Sequence, residues 1–243
     1  MMILSKRLEA VAGLVTPGGT IADIGCDHAH VSIYLIQHSL CEKVIACDVN
    51  KGPIEAARRN ILEAGLDDRI SLRRADGLLG LERYEADSVI MAGMGGLLML
   101  KILKEGEEKL SPSCKLILQP QSDVPGVRRY LIEKGYFILK EDIVYEDGKF
   151  YFLIKASKNS DERVCKYTDD ADYEYGGYLI RNRHPLLKEY LAFRKAVLEN
   201  ILLNIDKNGS RGAIERQKET EAELKRVREI LSVLDQRVQP KLT

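Results

Sequence analysis

The chain has 243 residues, of which 45% are hydrophobic and 30% charged, and its formal net charge is zero. These values are typical of a folded globular protein with one domain of about 150 residues and a smaller one. No apolar run approaches the roughly 20 residues that span a bilayer, so we expect no membrane partner. The first 15 residues place Lys6, Arg7 and Glu9 within an apolar pattern. This indicates an amphipathic helix rather than an export signal, and we expect a cytoplasmic location.

Cysteine and histidine patterns give little support for a metal site. The five cysteines are odd in number and include no CxxC pair, which argues against a disulfide framework or a zinc site. His28 and His30 have a spacing that metal ligands use, but no third ligand accompanies them. We therefore predict that the protein binds no metal.

The zero net charge conceals an uneven distribution. Residues 1–159 carry 21 basic and 22 acidic residues, residues 160–180 carry 2 and 6, and residues 181–243 carry 14 and 9, for net charges of −1, −4 and +5. A basic carboxyl-terminal face is suited to nucleic acid phosphates. A solvated helix surface would show the same balance.

From residue 20 to residue 134, short apolar runs alternate with helical patterns. The predicted strands are 20–26, 43–49, 69–77, 86–93 and 115–120, and the predicted helices are 31–40, 52–66, 96–110 and 124–134. Helices between successive strands supply the crossovers that a parallel sheet requires, so we predict a doubly wound α/β fold.

Residues 136–157 follow a different hydrophobic pattern, with one strand-like run before Asp147-Gly148 and one after it. An Asp-Gly pair between two such runs is a strong hairpin signal. Five parallel strands followed by an antiparallel hairpin is the order of a class I, Rossmann-like methyltransferase sheet. Ordinary dinucleotide-binding domains usually lack that terminal hairpin.

The carboxyl-terminal part is predicted to be helical. Residues 158–182 are polar and acidic, which favours a linker with at most one short helix. Two amphipathic patterns follow, at 184–205 and 212–238, joined by a turn at 208–210, and they predict an antiparallel coiled-coil-like hairpin. We therefore predict a catalytic domain over residues 1–158 and a helical domain over 159–243.

Acidic residues stand at the ends of the first three predicted strands. Asp23 and Gly25 belong to the first, Asp48 ends the second 23 residues after Gly25, and Asp76-Gly77 ends the third. Ligands of open α/β sheets bind beyond these carboxyl ends, where Asp48 is placed to accept the ribose hydroxyls of an adenosine. The missing GxGxxG argues against a pyrophosphate and favours S-adenosylmethionine over NAD. The alternative is a set of solvated turns, with Asp27 as a helix N-cap.

Two later loops follow the fourth and fifth strands. The glycine-rich segment 92–96 lies where class I methyltransferases face the methyl group and the acceptor, although it lacks the Asn/Asp-Pro-Pro-aromatic motif of many amino-methylating members. Residues 119–122 follow the fifth strand and are placed to line the same opening. A plain glycine-rich turn and a polar turn are the alternatives.

A set of segments in fixed order carries a family resemblance. They are LSKRLEAVAGLV, ADIGCDHAH, DVNKGPIEAARRNI, RRADGLLGL, AGMGG and LILQPQSDVPGVRRYL. The chain resembles the bacterial tRNA (adenine-22-N1)-methyltransferase family, most strongly over residues 4–130. The resemblance implies a class I methyltransferase domain, a carboxyl-terminal coiled coil, S-adenosylmethionine as donor and an adenine of the tRNA D-arm as acceptor.

Residue roles follow from the strand ends together with the resemblance. The predicted catalytic residues are Asp27, His28 and Met94; the predicted cofactor-binding residues are Asp23, Gly25, Cys26, Asp48, Val49, Asp76, Gly77, Ala92 and Gly93; the predicted acceptor- or tRNA-binding residues are Gly95, Gly96, Gln119, Arg181, Arg183, Lys188 and Arg194. We expect a monomer. The alternatives are methylation of another substrate, a non-catalytic nucleic-acid-binding protein with this fold, and an NAD-dependent oxidoreductase.

Overall fold

The computed structural model describes residues 1–159, 165–205 and 211–236. Its seven strands are β1 (Thr20–Ile24), β2 (Lys43–Asp48), β3 (Ile70–Arg74), β4 (Ser88–Met94), β5 (Lys115–Pro120), β6 (Phe137–Glu146) and β7 (Lys149–Ser157). They form one sheet in the order β3-β2-β1-β4-β5-β7-β6. The strands β1 to β5 are parallel, and β7 is antiparallel to both of its neighbours. The α/β prediction with a terminal hairpin is confirmed.

Helices cover both faces of the sheet, as the crossovers require. They are α1 (Lys6–Gly13), α2 (His30–Gln37), α3 (Lys51–Glu63), α4 (Gly96–Gly106) and α5 (Val124–Glu133). Side chains of α1, α2 and α3 form one core layer with the sheet, and side chains of α4 and α5 form the other. Because both faces are covered, ligands can reach the sheet only at the ends of its strands.

The predicted hairpin is present at Asp147-Gly148. Both residues have positive φ, 49° at Asp147 and 76° at Gly148, which is the backbone that a tight two-residue turn between twisted strands needs. The Asp-Gly pair therefore sets the register of β6 against β7, in which Glu146 faces Lys149.

The carboxyl-terminal helices are shorter than predicted. A π-helical turn at Asp172–Gly176 continues into α6 (Gly177–Arg181), followed by α7 (Pro185–Asn204) and α8 (Arg211–Asp235). The predicted turn at 208–210 and residues 237–238 lie outside the described residues.

One apolar cluster joins the helical hairpin to the sheet. Ile143 of β6 and Phe152 of β7 pack with Leu187 and Leu191 of α7. Further along, Leu198 packs with α8 residues in the same cluster. The base of the hairpin therefore lies on the sheet, and its far half is held by contacts between its own helices.

Across residues 1–159, 165–205 and 211–236, no helix is long and apolar enough to cross a membrane. The same residues contain no group of three or more His, Cys, Asp or Glu side chains able to hold a metal ion.

Candidate active site

The loop between β1 and α2 is held in an unusual backbone conformation. Gly25, Asp27 and Ala29 all have positive φ, at 76°, 49° and 59°. The amides of Gly25 and Cys26 both donate to the carbonyl of Cys47 on β2, at 2.8 and 3.0 Å. This anchors the loop to the neighbouring strand and turns its next residues outward, beyond the sheet edge.

Asp27 does not cap α2. Ala29 is the N-cap residue, and it makes no side-chain capping hydrogen bond. The Asp27 carboxylate instead lies 3.4 Å from Nε2 of His28, and both side chains are about half exposed or more, at 68% and 49%. The two predicted catalytic side chains are thus adjacent and accessible.

Asp48 is pre-oriented by the backbone around it. Its Oδ2 accepts from the Asp27 amide at 3.3 Å, and its Oδ1 accepts from the Asn50 amide at 2.9 Å. A carboxylate has about four acceptor positions, so lone pairs remain on both oxygens for further donors. This arrangement suits a pair of ribose hydroxyls.

A cavity of about 240 Å³ opens at the ends of β1, β2, β3 and β4, and is named here the β2–β3 cavity. The half-exposed Val49 and the apolar Leu98 and Ile102 contribute to its walls. Seven of the nine predicted cofactor residues line it: Gly25, Asp48, Val49, Asp76, Gly77, Ala92 and Gly93. Met94 lines it as well.

A second cavity, of about 270 Å³, adjoins the first and is named here the β1–α2 cavity. It shares Gly25, Ala92 and Gly93 with the β2–β3 cavity. Predicted residues that line it in addition are Asp23, Cys26, Asp27 and His28. A ligand can therefore extend from one cavity to the other past two glycines.

Asp23 carries the most perturbed carboxyl of this region. Burial raises its pKa to about 6, against the opposing effect of a 2.6 Å hydrogen bond from the Ser32 hydroxyl. Among the residues that the structure describes, no cationic side chain pairs with Asp23. A carboxylate buried in this way at the end of a cavity is suited to an ammonium group of a ligand.

The thiols of this region are inert. Burial raises the pKa of Cys26, and it raises the pKa of Cys47 to about 11. Neutral thiols are poor nucleophiles, which argues against covalent catalysis by either cysteine at neutral pH.

The glycine-rich segment forms the wall between the cavities. The β4–β5 pairing is irregular between Ala92 and Met94, and Gly93 there has φ of 79°. Gly95 is the N-cap of α4, and the Gly96 amide donates to the backbone oxygen of Ser122 at 3.1 Å. Gly95 and Gly96 themselves do not line either cavity. They fix the loop by allowing α4 to approach the β5–α5 connection closely.

Gln119 does not face the surface, in contrast to the predicted contact with the acceptor. Its side chain is fully buried, and its Oε1 accepts from Nη1 of Arg7 at 2.6 Å and from the Gly93 amide at 3.0 Å. Gln119 thus connects α1 to the glycine-rich segment. The neighbouring Gln121 is the residue of this turn that lines the β1–α2 cavity.

Arg7 is a site residue that the sequence reasoning missed. Its guanidinium lines the β1–α2 cavity, rests on Gln119 and lies over the ring of Tyr151 at 5.4 Å. The signal for it was a pair of basic residues in an otherwise amphipathic helix, which a solvated surface explains equally well.

The four predicted tRNA-binding basic residues are engaged within the chain. Arg181 makes two hydrogen bonds to Asp172, and Arg194 makes two to Glu223. Lys188 pairs with Asp235 at 2.6 Å, and Arg183 donates to the backbone oxygen of Gln236. The contacts of Arg183, Lys188 and Arg194 connect the start and middle of α7 to α8, and the contact of Arg181 connects α6 to the π-helical turn. Their role toward tRNA stays a prediction.

Comparison with known proteins decides the family. The model of the tRNA (adenine(22)-N(1))-methyltransferase family matches residues 21–235. The chain belongs to this family. The resemblance read from the sequence motifs is therefore confirmed, and the fold class with it.

Similarities in sequence and in structure support the assignment. The tRNA (adenine(22)-N(1))-methyltransferase of Bacillus subtilis strain 168 is 39% identical over 153 residues, which are 63% of this chain and 64% of that protein. The crystal structure of the B. subtilis M1A22 tRNA methyltransferase superposes with a TM-score of 0.86 at 29% identity, covering 95% of this chain and 100% of that one. A putative tRNA (m1A22) methyltransferase of Streptococcus pneumoniae, solved with S-adenosyl-L-methionine, superposes with a TM-score of 0.82 at 30% identity, covering 94% and 100%.

Proposed function

We propose that this protein transfers a methyl group from S-adenosylmethionine to ring nitrogen 1 of adenine 22 in tRNA. The observation that supports this best is the pair of adjoining cavities, one lined by Asp48 and Asp76 and the other by Asp23 and Asp27. The family match gives the substrate, and the S. pneumoniae relative was solved with this donor.

The residues of the two cavities fit S-adenosylmethionine. In the β2–β3 cavity, Asp48 would accept the ribose hydroxyls, Asp76 the adenine amino group, and Val49 would pack against the adenine. In the β1–α2 cavity, Asp23 would hold the ammonium group and Arg7 the carboxylate of the methionine end. Each charged group of the methionine end then faces a protein side chain of opposite charge.

The donor supplies an electrophilic methyl group. The adenine N1 lone pair needs no deprotonation before attack, so the protein contributes mainly by positioning this nitrogen in line with the methyl group. Met94 and Gly93 shape the wall at the junction of the cavities. The Asp27 carboxylate, steadied by His28, would stabilise the positive charge that the adenine gains. N1 is shielded in folded tRNA, so we expect local opening or base flipping.

A primer-extension assay tests the reaction. Incubation of unmodified tRNA with enzyme and donor should produce a stop of reverse transcription at adenine 22. Omission of the donor, or a transcript with guanine at position 22, should abolish the stop. A donor-dependent product at another position would overturn the assigned site.

Substitution of Asp27 tests the mechanism. Asp27→Asn should lower kcat about tenfold or more, because the carboxylate faces developing charge, while the Kd of S-adenosylmethionine changes little. The calorimetric Kd and the single-turnover rate separate these effects. Equal kcat in both proteins would leave Asp27 without a chemical role.

We also propose that the protein acts as a monomer in the cytoplasm. The cytoplasmic location is supported by the relatives, which are named as tRNA methyltransferases. Size-exclusion chromatography with light scattering at micromolar concentration tests the monomer.

A further inference from the structure

Four aromatic side chains form a partly exposed cluster near the active-site edge, here named the aromatic platform: Tyr145, Phe150, Tyr190 and Phe193. Phe150 is the centre, with ring centroids at 4.6 Å from Tyr145, 5.4 Å from Tyr190 and 6.3 Å from Phe193. Phe193 is 59% exposed and Tyr145 is 48% exposed. Neighbouring aromatic rings that remain exposed at this level indicate a candidate binding surface for a ligand or a partner molecule.

The strand register places the platform at the same end of the sheet as the two cavities. Met94 faces Pro120 across β4 and β5, and Leu118 faces Ile154 across β5 and β7. Continuing that antiparallel register by two residues brings Phe152 level with Pro120. Phe150 therefore lies at or just beyond the carboxyl edge of the parallel strands. Two strand spacings, about 10 Å, separate β4 from β7.

The connection between β5 and α5 contributes residues to two cavities. Gln121 lines the β1–α2 cavity, and Asp123, two residues later, lines a further cavity of about 340 Å³. Phe152, Tyr175 and Tyr190 also line this further cavity. Tyr190 belongs to both this cavity and the platform, so the connection between β5 and α5 extends from the β1–α2 cavity to the neighbourhood of the exposed rings.

The chemistry of the platform favours nucleobases over phosphates. Arg194, next to Phe193 in sequence, already makes two hydrogen bonds to Glu223, so its charge is satisfied within the chain. Tyr145 and Phe193 expose about half or more of their aromatic side chains, and unpaired RNA bases stack on such rings with little regard to sequence. Stacked nucleotides rise about 3.4 Å each, so about three nucleotides span the roughly 10 Å between β4 and β7.

A second copy of this chain is a weaker occupant on grounds of area. The two exposed rings offer on the order of 200 Å², against about 800 Å² per partner in a stable protein interface. The position of the platform at the carboxyl edge of the parallel strands also favours the substrate.

We propose that the aromatic platform binds unpaired bases of the tRNA near the methylated adenine by stacking. This inference rests on the proposed function, because it assigns a further contact to the same substrate. The platform contributes to tRNA affinity and to the placement of the substrate, and it has no part in donor binding.

A tryptophan reporter tests stacking directly, because the chain contains no tryptophan. The Phe193→Trp variant should lose emission when tRNA is added, since a base stacked on the indole quenches it. The matched control is Tyr84→Trp. Tyr84 is 50% exposed and lies four residues before β4, at the opposite end of the parallel strands. Emission from Phe193→Trp that responds to tRNA no more than that of the control would overturn the proposal.

Alanine and leucine variants test affinity. Tyr145→Ala and Phe193→Ala should each raise the Kd of tRNA about fivefold or more. The slope of log Kd against log salt should stay the same, because stacking releases no counterions. The Kd of S-adenosylmethionine should not change. Phe193→Leu should bind as weakly as Phe193→Ala, whereas full affinity of the leucine variant would mean apolar packing rather than stacking and would overturn the proposal.

The controls separate this proposal from the proposed function. If the unaltered protein neither binds nor methylates tRNA, the proposed function fails and the platform loses its ligand. If it methylates adenine 22 and the alanine variants match it in Kd and KM, only the platform proposal fails. A shift in oligomeric state of the alanine variants, with tRNA affinity unchanged, would assign the rings to self-association instead.

Discussion

At the scale of single residues, the buried carboxylate of Asp23 lowers the stability of the folded state and is suited to binding the ligand. Burial raises its pKa to about 6, against 3.8 in an exposed carboxyl. Above pH 6 the folded protein therefore keeps this charge buried, whereas in the unfolded chain the same charge is solvated by water. The raised pKa therefore stabilises the folded state at low pH, and this stabilisation is lost as the pH rises through 6. The carboxylate is therefore retained at a cost of at most about 3 kcal/mol.

The first prediction is that Asp23→Asn stabilises the ligand-free protein and weakens donor binding. The free energy of unfolding at pH 8 should rise because the buried charge is gone, and this gain should shrink toward pH 4.5. The Kd of S-adenosylmethionine should rise about tenfold or more through loss of a charged hydrogen bond. Denaturant unfolding at both pH values and calorimetry check this. A gain that does not vary with pH would contradict the assigned cause.

The second prediction concerns Gln119, whose oxygen accepts from both Arg7 and Gly93. Gln119→Leu leaves two donors near the cavities without their acceptor, at a cost of about 1–3 kcal/mol for each that stays buried. We expect lower kcat and weaker donor binding together, because Arg7 and the glycine-rich segment both shift. Gln119→Glu keeps an acceptor in place and should retain more activity, as measured by steady-state kinetics. Equal loss in both variants would refute the positioning role.

At the scale of elements, the start of α4 depends on a close approach. A Cβ atom at Gly96 would lie 2.3 Å from the backbone oxygen of Ser122, which cannot rotate away as a side chain can. The amide of Gly96 donates to that same oxygen. The glycine therefore locks the glycine-rich segment to the connection between β5 and α5.

The third prediction is that Gly96→Ala lowers the free energy of unfolding by about 1–3 kcal/mol and reduces methyl transfer. The matched control is Gly52→Ala in α3, where an added Cβ meets no atom within 4 Å. That variant should be as stable as the parent protein or more so, because alanine favours a helix. Thermal unfolding and the primer-extension assay compare the two. A Gly96→Ala protein that behaves like the control would contradict the close packing.

The elements were predictable because periodicity and turn residues are local signals. The Asp147-Gly148 hairpin and the alternation of strands and helices lie where the pattern placed them, to within a few residues at each end. The three acidic strand ends were also predictable, since the fold brings them to one edge. What the sequence did not show depends on tertiary partners. No pattern shows that Gln119 is buried under Arg7, or that Arg194 is paired with Glu223.

At the scale of the whole molecule, a buried ionic network joins the two predicted domains. Arg128 of α5 and Glu141 of β6 form a fully buried pair at 2.6 Å. Arg128 also donates to the backbone oxygens of Tyr173 and Glu174 in the π-helical turn, and Tyr167 donates its hydroxyl to Glu141. The position of the helical hairpin on the sheet therefore depends on charged groups that are buried away from solvent.

This network bears on the predicted boundary between residues 158 and 159. Glu141 belongs to the sheet, yet its second oxygen is satisfied by Tyr167 from beyond the boundary. Ile143 and Phe152 of the sheet are likewise covered by Leu187 and Leu191. A fragment that ends at residue 158 would expose apolar side chains and remove the hydrogen-bond partners that Tyr167, Tyr173 and Glu174 give to the ion pair. We therefore regard the two parts as one folding unit with two roles.

The fourth prediction follows from this arrangement. Arg128→Met leaves the Glu141 carboxylate buried without its cation, so the free energy of unfolding should fall by about 3–5 kcal/mol. Adding Glu141→Leu and Tyr167→Phe removes the stranded charge and the hydroxyl that pointed to it. This triple variant should recover most of the loss, because apolar groups of similar volume pack without desolvating a charge. Urea unfolding measures both.

The same variants separate stability from domain placement. The triple variant keeps the core but loses the directional bonds from Arg128 to the π-helical turn, so the helical hairpin can settle differently on the sheet. We expect near-normal stability and donor affinity with a raised KM for tRNA. Calorimetry and steady-state kinetics on folded protein give these values. A triple variant with unchanged KM would mean that apolar packing by Ile143, Phe152, Leu187 and Leu191 is enough to fix the hairpin.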